Sequence, residues 1–131
     1  MMKRRTAREK ALQALFQIDI NEAGPEEAIK NILHGETMDP YLAELVNGTS
    51  THLKEIDERI SKHLENWSVN RLAKVDLNIL RIAVYELLYV HDVPSNVAIN
   101  EALEISKRFG DEKSSKFING VLSKIKDGLN Q

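Results

Sequence analysis

The stretch DLNILRIAVYELLYV, Asp76 to Val90, decides the fold. Apolar side chains occupy nearly every side of it at helical spacing, which predicts a helix enclosed by other helices and central to the core. Asp76 is placed to cap it and His91-Asp92-Val93-Pro94 to end it, so the helix is expected over Leu77 to Val90. Arg81 lies inside this helix, and Glu101 lies inside VAINEALEI, which is also largely apolar. Partly buried charges are normally paired, so an Arg81–Glu101 bridge between the two helices is expected.

On both sides of this stretch the periodicity stays helical, without the sustained alternation of a half-buried strand. A first helix is expected from Thr6 to Asn21, stopping before Gly24-Pro25, and a second from Pro25 to about His34-Gly35. From Asp39-Pro40 to Asn66, the series Leu42, Leu45, Val46, Leu53, Ile56, Ile60, Leu64 predicts two helices with a break at Asn47-Gly48-Thr49. Ser68 is placed to cap a short helix through Val75, and Ser95 to cap one that runs to Phe109 and Gly110. A last helix is expected from Glu112 to Lys126. The fold class is therefore all-α, a compact bundle of about seven helices.

At 131 residues the chain is expected to form one domain, 1–131, with a core that needs no staples. It has no cysteine, which excludes disulfides and thiolate metal sites. No apolar run approaches a membrane span, and the first helix carries Glu9, Gln13 and Asp19, unlike a signal peptide. A cytoplasmic location is expected.

The net charge of -2 hides an uneven distribution. Acidic residues gather between Glu22 and Glu65, while bases gather in KRRTAREK at the start and again from Lys107 to Lys126. If the two basic segments meet in space, the protein has a basic face. On a helical wheel Arg4 and Arg8 share the side of the stripe formed by Ala7, Ala11, Leu12, Leu15, Phe16 and Ile18, with Arg5 beside them. Their guanidinium groups are expected to run along the surface. Bases at a helix start oppose the macrodipole and call for a compensating anion, and the guanidinium fork suits phosphate. A merely solvated charge run is the plainer alternative.

In the last helix Lys113, Phe117 and Lys124 follow a line next to the buried positions Ile118, Val121, Leu122 and Ile125. An aromatic ring between bases suits the stacking of an unpaired nucleobase, although Phe117 could equally complete the core. Gly120 would allow close approach of another group, or serve packing. Catalytic patterns are missing: there is no glycine-rich phosphate loop, nucleophile motif or HExxH. On one straight helix His52 and His63 would stand roughly 16 Å apart, too far to share a metal. No cofactor and no metal are expected.

RRTAREKALQALFQ at the start, LNILRIAVYELLY in the centre and DVPSNVAINEALEISKRFGDEKSSKFINGVL near the end together resemble the NusB family of bacterial transcription antitermination factors. The likeness covers most of the chain and is thinnest over Glu22 to Asn66. It implies two perpendicular three-helix groups around the first helix and no catalytic activity. It also implies binding of boxA, a short single-stranded RNA of ribosomal RNA leaders, together with the small-subunit ribosomal protein NusE, in the antitermination complex on RNA polymerase. Carried over residue by residue, Arg4, Arg5 and Arg8 fall at the arginine-rich start that touches RNA, and Lys116 and Phe117 at the aromatic-basic pair of the last helix. Phe16 and Asp76 fall near the NusE-facing surface. Lys113 stands where the family can carry an acidic residue, so it joins the expected RNA contacts and should lessen dependence on the partner. The same fold begins ribosomal-RNA cytosine methyltransferases, whose second domain would not fit in 131 residues. The competing function is a protein-interaction module whose basic face meets an acidic protein.

Overall fold

The computed structural model describes residues 2–65 and 68–129, and among them every regular element is helical. The order is α1 (Arg4–Asn21), α2 (Pro25–Leu33), α3 (Pro40–Thr51), α4 (Leu53–Ser61), a 3-10 turn (Val69–Arg71), α5 (Lys74–Tyr89), α6 (Ser95–Phe109) and α7 (Ser114–Leu129). α1 packs against α2, α3 and α5, while α5 also meets α3, α4, α6 and α7. Ala7, Ala11 and Ala14 are fully buried along α1, and such short side chains let neighbouring helices approach its backbone. From Leu77 to Glu86 every residue of α5 is buried, as the apolar sequence requires. Each large aliphatic side chain enclosed here contributes roughly 1.5–3 kcal/mol relative to exposure.

Several helix ends differ from their expected places. α3 continues through Gly48 and breaks at His52, because the Tyr85 ring occupies the space that a Cβ at residue 48 would need. Tertiary packing thus overrides glycine's weak helical propensity of about 1 kcal/mol. The expected end at Asn66 lies outside the described residues; α4 itself stops at Ser61. The helix expected from Ser68 to Val75 contracts to the 3-10 turn, and α5 begins at Lys74, so Asp76 lies in its first turn and does not cap it. Ser95 is the first residue of α6, with Pro94 at the cap position. Before α7, Asp111 Oδ1 accepts from the backbone N–H of Ser114 while Ser114 Oγ accepts from that of Asp111, a reciprocal cap.

The Arg81–Glu101 bridge does not form. Arg81 donates from Nε and Nη2 to the two carboxylate oxygens of Asp57, each at 2.8 Å, and from Nη1 to Asp19 at 2.9 Å. Burial alone would lower its pKa, but the two carboxylates outweigh burial and raise it. Arg81 therefore joins α5 to α4 and α1. Asn78, fully buried, completes this group by donating to Asp19. Glu101 instead meets Arg5 and Arg8 of α1.

Candidate nucleic-acid interface

At the start of α1 the arginines have separate fates. Arg8 is not on the surface: its side chain is only 4% exposed, and Nη2 stands 2.9 Å from Glu86 of α5, itself 1% exposed. The apolar stripe that holds Ala7 and Ala11 carries Arg8 inward with it, and Glu86 receives it there. Tyr41 of α3 also donates its hydroxyl to Glu86. Burial and that hydrogen bond push the Tyr41 pKa up. Arg8, expected as an RNA contact, is thus placed as an internal clasp between α1 and α5.

Arg4 and Arg5 remain outside, with side chains about half exposed. Arg4 lies over the Tyr41 ring, 4.2 Å from its centroid, and donates to Asp92 at 3.1 Å. Arg5 forks onto Glu101. The anions that compensate bases at this helix start therefore come from the protein itself. The two basic segments do approach each other, through Arg108 of α6 on Glu9 of α1, but here too a carboxylate intervenes.

The start of α7 has a different character. Lys113, Lys116, Phe117, Gly120 and Lys124, with Glu112, line one side of an open groove of about 660 Å³, and His63, Leu64 and Glu65 line the rest. Among the described residues neither Lys113 nor Lys116 has a carboxylate within ion-pair distance, whereas Lys124 stands 3.9 Å from Glu65. Phe117 is half-buried, and it also lines a second depression with Arg71, Asp76 and Lys113. One ring thus packs on the core and also reaches two openings. Gly120 has no atom within 4 Å of where its Cβ would be, so its smallness serves no internal packing.

Phe16 lines a separate depression of about 350 Å³ with Leu12, Gln13, Ile32, Val75 and Phe109. Asp76 opens instead towards Phe117, so the two expected partner contacts flank Val75 without sharing a pocket. His52 stands at the α3–α4 break and His63 beyond the end of α4, and His52 stacks on Tyr89 with centroids 4.3 Å apart. Among the described residues no cluster of His, Cys, Asp or Glu is arranged to hold a metal, and no helix is long and apolar enough to cross a membrane. Sequence reasoning missed Glu86, Tyr41 and Asp92. Glu86 had a signal, since it breaks the same apolar helix as Arg81 and by that criterion required a partner.

Fold and groove together define an all-α protein with an open groove in which lysines flank an aromatic ring. The sequence pattern of the NusB family matches residues 5–127. The transcription antitermination protein NusB of Bacillus subtilis is 56% identical over 130 residues, 99% of each chain. Its counterpart in Listeria monocytogenes serotype 4a is 56% identical over 124 residues, 95% of this chain and 96% of that one. Among solved structures, T. maritima NusB superposes with a TM-score of 0.88 at 43% identity, over 96% of this chain and 92% of that one. A structure of antitermination factors NusB and NusE in complex with dsRNA gives 0.86 at 33% identity, over 98% and 99%. The chain belongs to the NusB family.

Proposed function

We propose that this protein is a transcription antitermination factor that binds boxA RNA of ribosomal RNA leaders together with NusE, as part of the antitermination complex on RNA polymerase. The observation that carries the reading is 56% identity to an antitermination protein across 99% of both chains. The geometry supports a division of labour. Lys113 and Lys116 hold backbone phosphates, Phe117 stacks an unpaired base, and Arg4 and Arg5 extend the contact at the start of α1. Arg8 holds from the buried side the Glu101 carboxylate on which Arg5 rests. Phe16 and Asp76 face NusE from adjoining depressions. The single domain acts by binding, with no chemical step assigned to it.

A fluorescence-anisotropy titration tests this with labelled boxA RNA, a scrambled strand and a boxA duplex, each with and without NusE. The expected result is selective binding of single-stranded boxA, tightened by NusE and weakened steeply by salt. Equal, weak retention of all three RNAs would instead favour the interaction module. Preference for the duplex would overturn the base-stacking role.

A further inference from the structure

Arg5 already holds an anion in the geometry it would use for phosphate. Its Nε donates to Glu101 Oε1 at 3.1 Å and its Nη2 to Oε2 at 2.5 Å, a two-pronged contact of the kind arginine makes with phosphate oxygens. Arg5 is the outer member of the pair: its side chain is 56% exposed against 15% for Glu101. An anion arriving from solvent meets the arginine first.

We propose that Glu101 is an internal stand-in for phosphate, which holds Arg5 in the free protein and yields it to a backbone phosphate of bound RNA. The proposal rests on the RNA-binding reading above and adds a residue that tunes affinity without touching RNA. Release is favoured by what lies behind Glu101. Arg8 Nη1 donates to Oε1 at 3.1 Å and is itself fixed by Glu86, so Glu101 keeps a partner when Arg5 leaves. An abandoned half-buried carboxylate would be costly, and here it is not abandoned. The Arg5 hydrogen bond, working against partial burial, holds the Glu101 carboxyl below the ordinary glutamate range. Lys113 and Lys116, by contrast, have no such competitor among the described residues.

The test compares wild type, Glu101→Gln, Arg5→Ala and the double variant in anisotropy titrations of single-stranded boxA RNA. Circular dichroism and thermal unfolding establish that each is folded. Glu101→Gln should bind about two- to fivefold more tightly, the range of one exposed ion pair. This gain should vanish in the Arg5→Ala background. Weaker binding by folded Glu101→Gln would mean that Glu101 orients Arg5 for phosphate, and would overturn the proposal. So would a gain that survives loss of Arg5. If Glu101→Gln does not fold, NMR of wild type decides: on adding RNA, Arg5 should lose its hydrogen bonds to Glu101 and gain through-hydrogen-bond coupling to phosphorus. Arg5 remaining on Glu101 in the RNA complex would overturn the proposal. Failure of wild type to bind any RNA would instead refute the functional reading itself.

Discussion

Arg5 and Arg8 are one helical turn apart in sequence and opposite in consequence. Arg8 lies in the protein interior against Glu86, where removing one partner leaves an uncompensated buried charge. Arg8→Met should therefore destabilise the fold by about 3–5 kcal/mol, measured by urea or thermal unfolding. Burial alone would lower the Arg8 pKa, but Glu86 raises it, so the guanidinium stays charged throughout the accessible range. Arg5→Ala should leave the unfolding midpoint nearly unchanged, because that guanidinium stands in solvent. Equal losses from the two substitutions would contradict the assignment of one to the interior and the other to the surface. Glu101 adds a pH dependence. Its folded pKa is depressed, so its contribution is present above the ordinary glutamate value of about 4.3 and is lost as pH falls through the folded one. Below that ordinary value, Glu101→Gln should show a shallower fall of midpoint with acid than wild type.

Elements were legible where local chemistry and packing agree. DLNILRIAVYELLYV reads as central because its pattern is apolar on all sides, and every residue from Leu77 to Glu86 is buried. The Arg81 partner was not legible: a wheel shows that a charge points inward but not which helix faces it, and Asp19 and Asp57 are distant in sequence. The same limit hid the inward turn of Arg8, although its position on the Ala7–Ala11 stripe indicated the direction. The basic groove of α7 was readable from the spacing of Lys113, Phe117 and Lys124, but the rest of its lining, His63 to Glu65, was not. Gly48 misled because propensity marks it as a break, while its use is contact with Tyr85. Gly48→Ala should force the Tyr85 ring to move and cost about 1–3 kcal/mol in thermal unfolding. Gly120→Ala, on an equally helical but open site, should stabilise by about 0.5–1 kcal/mol through propensity. If RNA passes close to that backbone, the same change should weaken binding even as it raises the midpoint.

At the scale of the whole molecule, the proposed function requires a chain of net charge -2 to meet a polyanion by local arrangement of charge. Arg4 and Arg5 rest on Asp92 and Glu101 of the same chain, while Lys113 and Lys116 flank Phe117 near the start of α5, at the other end from Glu86. On the proposed function, the groove offers phosphate two lysines without an ion-pair partner among the described residues, while Arg5 must first exchange Glu101 for phosphate. The account depends most on Phe117, whose ring must both pack and stack. Phe117→Leu retains much of the apolar volume and removes the π-face, whereas Phe117→Tyr retains both. The deciding measurement is an anisotropy titration of single-stranded boxA RNA with these two variants and wild type, each checked for folding by thermal unfolding. Phe117→Leu should lose about 1–3 kcal/mol of affinity while Phe117→Tyr binds nearly as wild type. A folded Phe117→Leu protein with undiminished affinity would contradict it.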